Sequence, residues 1–314
     1  MHDVVLALGS NKGDKKENIK RALYFISHSG IRIHKVSKTI ITSPWGNWQQ
    51  ADFANMVLTA KTSLSPYELL KTVKGIEKAM GRTEGHMKPR IIDIDIIFFD
   101  NIILNTEELE IPHPSFRERI FVLGPLFEIA PHLKDPVSGK SISQLYKELL
   151  SMPYVGHIET EKGSFFVSVK NGMVLKTSFD YIRGRQEYTP IIANLLDRLK
   201  MYFNGEKVDF NDFSLDFSNV PPLYRKIYTV LRKIPYGTTI SYSHLAELAG
   251  IPKGARTIGN AMAKNPFPIL VPCHRVIRKD GTLGGFSSGI ERKIFLLKLE
   301  LGDRFFDIFP KNIH

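Results

Sequence analysis

Hydrophobic and polar positions in the first half of the chain follow two different periods. Residues 3–8 form an apolar run that ends at Gly9, as in a buried strand. Residues 15–27 repeat apolar side chains at helical spacing, and Asp14 is placed to cap that helix. Strands and helices in mixed order favour an α+β sandwich. The same patterns predict strands at 31–39, 53–62 and 91–99 and helices at 66–80, 118–129 and 141–150.

The second half opens with a hairpin pattern. Lys170-Asn171-Gly172 separates two strand-like runs, and Asn-Gly between such runs predicts a tight turn. Two short helices, 241–249 and 255–264, have the spacing of a helix-turn-helix, which favours DNA contact. Longer helices are predicted at 190–203 and 222–234.

The segment between the halves is polar and has no clear period. It contains Pro153 and Gly156, which indicates a junction. The predicted organisation is a domain at 1–152, a linker at 153–163 and a domain at 164–314. The 314-residue length is ordinary for two domains.

Composition narrows the class of protein. Hydrophobic residues make up 43% and charged residues 24%, which excludes a fibrous or largely disordered chain. No stretch approaches the roughly 20 apolar residues of a membrane span, and Met1-His2-Asp3 opens no signal peptide. A single cysteine excludes an internal disulfide framework and a multi-cysteine zinc site. We therefore expect no membrane partner and a cytoplasmic location, or a nuclear one in a eukaryote.

Charge is unevenly distributed along the chain. The net charge is +11, of which residues 1–155 contribute +3 and residues 156–314 contribute +8. A basic second half favours a polyanionic partner such as nucleic acid. Plain solubility explains the same excess equally well.

Two aspartates interrupt the apolar run at 91–99. Asp93 and Asp95 are two positions apart, so a strand places both carboxylates on one face. Adjacent carboxylates repel unless a cation lies between them, and Mg²⁺ suits such oxygen ligands together with substrate phosphates. The alternative is a strand edge with solvated aspartates. Cations that suit phosphoryl or pyrophosphoryl transfer flank the pair: Arg82, Lys88, Arg90, His113, Arg117 and Arg119.

Six motifs follow one another through the first half: Ala7-Leu8-Gly9-Ser10-Asn11, Thr42-Ser43-Pro44-Trp45-Gly46, Asp52-Phe53-Ala54-Asn55, Glu77-Lys78-Ala79-Met80-Gly81-Arg82, Pro89-Arg90-Ile91-Ile92-Asp93-Ile94-Asp95 and Ile111-Pro112-His113-Pro114. In order and spacing they resemble 6-hydroxymethyl-7,8-dihydropterin pyrophosphokinase, an enzyme of folate biosynthesis. The resemblance implies a ferredoxin-like α/β sandwich that transfers pyrophosphate from ATP to the hydroxymethyldihydropterin.

The resemblance also implies roles for single residues. Asp93 and Asp95 would hold two Mg²⁺ ions. Phe53 and Phe121 would clamp the flat pterin ring. The loop Thr83–Lys88 is shorter than is usual in the family, which leaves open a nucleotide-binding scaffold without catalysis. The implied ATP contacts are Glu77, Arg82, Arg90, His113 and Arg119, and the implied pterin contacts are Thr42, Pro44, Trp45, Phe53, Asn55 and Phe121.

The lone cysteine has a distinctive neighbourhood. An isolated cysteine is usually a small buried hydrophobe. Cys273 is instead followed by His274 and Arg275, and a neighbouring base or cation can produce a nucleophilic thiolate. A Cys-His pair also occurs in proteases, but we find no matching protease motif, and the helix-turn-helix would remain unexplained.

Motifs around the cysteine extend over most of the second half: Ser241-Tyr242, Ala255-Arg256-Thr257-Ile258-Gly259-Asn260-Ala261-Met262, Asn265-Pro266, Pro272-Cys273-His274-Arg275-Val276, Gly284-Gly285-Phe286-Ser287-Ser288-Gly289, Glu291-Arg292-Lys293 and Glu300. They resemble the O6-alkylguanine-DNA alkyltransferases. The resemblance implies an RNase H-like cap at 164–219, a winged-helix catalytic part at 220–303 and no cofactor. The partner would be double-stranded DNA containing O6-alkylguanine.

In this resemblance Cys273 would accept the alkyl group from a guanine flipped out of the duplex. His274, polarised by Glu300, would take the thiol proton, Tyr242 would donate to the leaving guanine, and Asn265 would orient the cysteine turn. The rival interpretation is a damage sensor that binds without transfer. The implied DNA contacts are Arg256, Ala255, Gly259 and Arg275, and the implied alkylguanine pocket is Val276, Ser287, Phe286 and Lys293.

Overall fold

The computed structural model describes residues 1–42, 51–82 and 89–309. The chain divides into two compact units. The first takes the residues up to Met152 together with Arg183–Tyr188, and the second takes Pro153–Ile182 and the chain from Thr189 onward. Within the described ranges, none of the helices is both long and apolar enough to cross a membrane.

The first unit is built on an antiparallel sheet with helices on both faces. Its elements are β1 (His2–Ser10), α1 (Lys15–Ser27), β2 (Ile31–Val36), β3 (Ile40–Thr42), β4 (Phe53–Thr62), α2 (Pro66–Ala79), β5 (Asp93–Phe99), β6 (Leu104–Asn105), β7 (Glu110–Ile111), α3 (Ile120–Ile129) and α4 (Ile142–Ser151). The sheet has the order β2-β4-β1-β5, and β3 pairs with the start of β4. Alternate residues of β1 enter different cores: Leu6 packs with α1 and α2, whereas Val5 packs with α3 and α4.

Two predicted elements of this unit differ from the structure in their extent. The strand expected at 31–39 is shorter, because β2 ends at Val36, just before the Ser37 hydroxyl accepts a bond from the Val57 amide at 3.0 Å. The next strand, β3, begins at Ile40, beyond the predicted range. The helix expected at 118–129 is a 3-10 turn, Phe116–Glu118, followed by α3. Arg119 adopts an extended conformation between them, and this interrupts the helix.

The second unit begins with three antiparallel strands, β8 (Tyr154–Thr160), β9 (Gly163–Lys170) and β10 (Met173–Ser178). The predicted hairpin turn is confirmed, with Asn171 and Gly172 both at positive φ. The remaining elements of this unit are α5 (Pro190–Phe203), α6 (Pro222–Leu231), β12 (Ile240–Ser241), α7 (Tyr242–Leu248), α8 (Ala255–Ala263), β13 (Val276–Ile277), α9 (Ile290–Leu301) and α10 (Arg304–Ile308). The short strand β11 (Arg185–Gln186) belongs to the first unit.

The segment expected to be a linker, 153–163, is largely a strand. Residues 154–160 pair with β9 along their whole length, and Val155 and Ile158 are buried. Gly156 and His157 break the alternation of apolar and polar residues, which concealed the strand in the sequence.

The two short helices α7 and α8 confirm the predicted helix-turn-helix spacing. The turn between them approaches itself closely at Gly254. A Cβ at this position would lie 2.5 Å from the Ile251 side chain, so the turn requires glycine.

Two candidate active sites

The first site is on one face of β5. Asp93 and Asp95 alternate with buried Ile94 and Ile96, so both carboxylates share a face, as the sequence predicted. The residue of β1 opposite Asp95 is Ala7, and the one opposite Asp93 is Gly9. A Cβ at Gly9 would lie 3.2 Å from Asn55 Oδ1, so glycine lets the Asn55 side chain approach β1 closely here.

Arginines surround the aspartate pair. Arg82 Nη1 lies 2.6 Å from Asp93 Oδ1, and Arg90 pairs with the other oxygen of Asp93. Burial acts to raise the pKa of Asp93, but Arg90 and Arg82 outweigh it and hold that pKa below its usual value. Burial and the neighbouring Asp93 charge raise the pKa of Asp95. The pair therefore shows the mutual repulsion expected of adjacent carboxylates.

Arg119 and the His113 ring both lie near Asp95. Arg119 Nη1 is 3.6 Å and His113 Nε2 is 3.9 Å from Asp95 Oδ2. Burial, helped by the Arg119 charge, lowers the pKa of His113 to about 4, so its ring is neutral at pH 7. Asp93 and Asp95 fit Mg²⁺ as a pair of oxygen ligands, because this ion commonly completes its coordination with water and phosphate oxygens. Within the described ranges, no group of three or more His, Cys, Asp or Glu side chains could hold a metal.

Glu77 lies deeper than the expected contact with ATP would require. Its side chain is only 2% exposed, and it accepts a bond from the Ile94 amide at 2.7 Å. It also pairs with Arg82. In this structure Glu77 is thus a support for β5 and for Arg82.

Some of the residues that were expected to contact the pterin lie in the described ranges. Asn55 Nδ2 donates to Thr42 Oγ1 at 2.7 Å, and Phe53 pairs with Thr42 across β3 and β4. Phe121 is the second residue of α3, with the Arg119 guanidinium 5.7 Å from its ring centroid. Pro44, Trp45 and the loop Thr83–Lys88 lie outside the described residues.

The second site centres on the 3-10 turn Cys273–Arg275. The Cys273 side chain is buried, and Asn265 Nδ2 donates to its Sγ at 3.1 Å and to Val271 O at 2.9 Å. Burial raises the pKa of the Cys273 thiol, while the Asn265 bond and the Lys293 ammonium act to lower it. Asn265 therefore holds the turn and partly offsets the cost of ionising the thiol.

His274 is oriented by a buried carboxylate. Its Nε2 lies 2.8 Å from Glu300 Oε1. Burial acts to raise the pKa of Glu300, but His274 and Arg275 outweigh it and hold that pKa well below its usual value. An ionised carboxylate can only accept, so Nε2 carries the hydrogen and the lone pair of the neutral ring is at Nδ1. That atom is buried, and none of the described residues hydrogen-bonds to it.

Comparisons with known proteins find matches in both halves of the chain. Residues 5–131 match the family model of 7,8-dihydro-6-hydroxymethylpterin-pyrophosphokinase. A 2-amino-4-hydroxy-6-hydroxymethyldihydropteridine pyrophosphokinase of Bacillus subtilis is 40% identical over 141 residues, which cover 44% of this chain and 84% of the relative. The chain belongs to this pyrophosphokinase family.

The pyrophosphokinase half is joined to a domain of a second family. Residues 222–302 match the model of the 6-O-methylguanine DNA methyltransferase DNA-binding domain. A methylated-DNA–protein-cysteine methyltransferase of Methanothermobacter thermautotrophicus is 41% identical over 109 residues, which cover 35% of this chain and 61% of the relative. The crystal structure of Mycobacterium tuberculosis OGT in complex with DNA is 32% identical over 50% of this chain and 99% of that one, with a TM-score of 0.42.

Arg275 of the methyltransferase domain is placed differently from the expectation that it contacts DNA. It is only 7% exposed, and its Nε and Nη2 donate to the two oxygens of Glu300 at 2.8 and 2.9 Å. The buried Glu300 carboxylate requires a cation, and the 3-10 turn directs Arg275 inward to supply it. Arg275 therefore belongs to the interior of the domain.

Two of the four residues predicted to contact DNA line an open cleft of about 460 Å³ in the methyltransferase domain. Tyr242, Ala255 and Gly259 line it, and Arg256 is exposed on the same helix as the last two. A Cβ at Gly284 would lie 2.9 Å from the Tyr242 hydroxyl, so glycine lets the loop approach the tyrosine closely.

The buried Lys293 side chain holds the chain on both ends of the segment 276–283, next to Gly284. Its Nζ donates to Val276 O and Leu283 O, each at 2.6 Å. Burial lowers the pKa of Lys293 to about 8. Val276 is buried in β13, whereas Phe286 is half-buried and Ser287 is exposed in the loop that follows.

Sequence reasoning missed three residues of the methyltransferase domain. Arg278 and Lys279 line the cleft, but their sequence, a charged pair before Asp280-Gly281, is that of an ordinary surface turn. Tyr202 bonds to Glu300 from a distant helix, and no local motif indicates this.

Proposed function

We propose that the first half transfers pyrophosphate from ATP to 6-hydroxymethyl-7,8-dihydropterin. The placement of Asp93 and Asp95 on one face, ringed by Arg82, Arg90 and Arg119, supports this most directly. The pterin hydroxyl oxygen would form a bond to the β-phosphorus of ATP as the bond to AMP breaks. Mg²⁺ held by the two aspartates would supply charge neutralisation at the phosphates.

The residues around the aspartates would bind and orient the two substrates. The arginines would bind and orient the phosphate oxygens, because guanidinium groups match them in shape and charge. His113 would act as a neutral hydrogen-bond donor. The Thr42–Asn55 bond would hold one wall of the pterin site, and the Phe53 and Phe121 rings would cover the flat heterocycle.

We further propose that the second half repairs O6-alkylguanine by irreversible transfer of the alkyl group to Cys273. The single supporting observation is the orientation of His274, whose Nε2–H is held by Glu300. Nδ1 would take the thiol proton as Sγ forms its bond to the alkyl carbon and the carbon–O6 bond breaks. Tyr242 would donate a proton to the guanine as it leaves. The thioether product cannot be reversed by these groups, so each molecule would act once.

For the fold we infer the finer assignments that the resemblances imply. The first unit would be a ferredoxin-like sandwich. The second would combine an RNase H-like cap at 164–219 with a winged-helix part at 220–303. The exposed Arg256 would enter the base stack and replace the flipped nucleotide.

Intact mass spectrometry tests the repair activity. After incubation with duplex DNA containing O6-methylguanine, the protein should gain one methyl group that maps to Cys273 by peptide digestion. Stable binding without a mass change would favour the damage sensor instead.

Release of AMP from ATP tests the pyrophosphokinase activity, with Mg²⁺ and hydroxymethyldihydropterin present. AMP should form only when the pterin is added. Binding of ATP without AMP release would favour the non-catalytic scaffold.

A further inference from the structure

Tyr202 reaches the buried carboxylate of the second site from a separate helix. It lies near the end of α5 and is fully buried. Its hydroxyl donates to Glu300 Oε1 at 2.7 Å and lies 3.4 Å from His274 Nε2. The Tyr202 hydroxyl and the His274 ring therefore share one oxygen of Glu300.

The described donors to Glu300 come from three parts of the second unit. His274 and Arg275 belong to the cysteine turn, and the Gly237 amide precedes β12. Of these described donors, only Tyr202 lies outside residues 222–302, which match the methyltransferase family model. The hydroxyl must donate, because the ionised Glu300 carboxylate has no hydrogen to give.

We propose that Tyr202 is a positioning residue for alkyl transfer, fixing the Glu300 carboxylate so that it holds His274 with Nδ1 available to the thiol. This rests on the alkyl-transfer function proposed above. Without the hydroxyl, Oε1 would keep the bonds from His274 and Arg275, but nothing from α5 would hold it in place. Small errors in the orientation of a catalytic base are costly in rate.

The hydroxyl also affects how strongly His274 holds a proton. A hydrogen bond from Tyr202 disperses the negative charge of Glu300, and so weakens its attraction for a protonated ring. Among the described residues, Arg275 and Lys293 also act on the His274 ring, and Tyr236 lies near Glu300. All of them remain when the Tyr202 hydroxyl is removed. Its removal should therefore make His274 more basic.

Tyr236 provides a matched control. Its ring packs edge-on against that of Tyr202, with centroids 6.0 Å apart. Its hydroxyl donates to the backbone oxygens of Gly205 and Leu299, both at 3.1 Å. Tyr236→Phe thus removes a hydroxyl from the same aromatic cluster without removing a bond to Glu300.

The experiment compares the full-length wild type, Tyr202→Phe and Tyr236→Phe in single-turnover transfer from O6-methylguanine duplex over a range of pH. Tyr202→Phe should slow transfer at neutral pH by about 10-fold. The acidic limb of its pH profile should move upward by about half a pH unit or more, because transfer needs the neutral His274 ring. Tyr236→Phe should retain the wild-type profile, and both variants should bind DNA as the wild type does.

If Tyr202→Phe and Tyr236→Phe gave the same dependence of transfer rate on pH, the positioning role of Tyr202 would be refuted. Should Tyr202→Phe fail to fold, 3-fluorotyrosine at position 202 gives a test of opposite sign. Its more acidic hydroxyl donates more strongly, so the acidic limb should move downward, and an unchanged limb would contradict the proposal. A wild-type protein that transfers no methyl group would instead refute the proposed function itself.

Discussion

The side-chain amide of Asn265 lies 3.1 Å from the sulfur of Cys273 and donates a hydrogen bond to it. The same Nδ2 also holds the Val271 oxygen, and Asn265 Oδ1 accepts from the Phe267 amide. One buried side chain therefore both shapes the chain before the cysteine and contacts the sulfur. Burial raises the pKa of the Cys273 thiol, and the hydrogen bond from the Asn265 amide acts to lower it.

Asn265→Asp should separate these two roles. Aspartate keeps an oxygen for the Phe267 amide but loses the donor, and its charge repels a thiolate. We expect the pKa of Cys273 to rise and methyl transfer at neutral pH to slow by at least about 10-fold. Ultraviolet absorption of the thiolate during a pH titration measures the pKa of Cys273. An unaltered thiol titration in Asn265→Asp would contradict the role of the amide.

Asn265→Ala should also destabilise the second unit by about 1–3 kcal/mol, because buried backbone groups lose their partners.

Glu300→Gln should destabilise the second unit in a pH-dependent way. Removing the charge leaves Arg275 buried without its carboxylate, which should cost about 3–5 kcal/mol at pH 7. The pKa of Glu300 is depressed by folding, so its contribution is present above the pKa of an unfolded glutamate, about 4.3. That contribution is lost as the pH falls toward the folded value.

Hydrogen exchange of peptides from 222–302 measures this stability in the full-length protein. The difference in the free energy of unfolding between wild type and Glu300→Gln should become smaller below about pH 4.3. Glu291→Gln, an exposed change on the same helix, should match wild type at every pH. If the wild type instead became more stable relative to Glu300→Gln as the pH falls, the pKa of Glu300 could not be lowered by folding, and the prediction would be contradicted.

Asp95→Asn should abolish pyrophosphoryl transfer and leave methyl transfer intact. The substitution keeps the size of the side chain but removes one of the two charges needed to hold Mg²⁺. AMP release should fall by at least about 100-fold. Asp100→Asn is the control, because Asp100 lies beyond β5 and bonds to His2 and to the Asp3 amide. Equal loss of both activities in Asp95→Asn would show that the change disturbs more than the metal site.

Arg278 and Lys279 should contribute phosphate contacts in the cleft. Replacing both by alanine in a Cys273→Ala background should weaken DNA binding equally for all sequences. It should also lower the slope of log affinity against log salt by about one for each cation removed. Lys207→Ala with Lys233→Ala removes the same charge from a different cleft and should leave the slope nearly unchanged. Identical slopes for the two double variants would mean that only net charge matters.

The sequence predicted which residues share a face of a strand better than it predicted where side chains point in a turn. Alternation placed Asp93 and Asp95 on one face because a strand has a strict period of two. A 3-10 turn has no such binary pattern, and Arg275 was wrongly expected to face DNA. The decisive partner, Glu300, is 25 positions away along the chain.

The same limit explains Glu77 and the strand at 154–160. Glu77 accepts a bond from the Ile94 amide 17 positions later, so its burial depends on how α2 meets β5. Residues 154–160 form a strand because β9 pairs with them, although their own alternation is broken. In each case tertiary contact, which no local pattern carries, determined the outcome.

The bond from Tyr202 to Glu300 determines how long a fragment of the second unit must be to keep all the described bonds to this carboxylate. The methyltransferase family model begins at residue 222, so a fragment cut to that boundary would keep the cysteine, the histidine and the acid. It would also leave one acceptor of a buried acid without its donor from α5. A gene fragment that preserves this chemistry must therefore include the codons for 190–203. The segment that matches the family model is therefore shorter than the segment that contains all the described donors to Glu300.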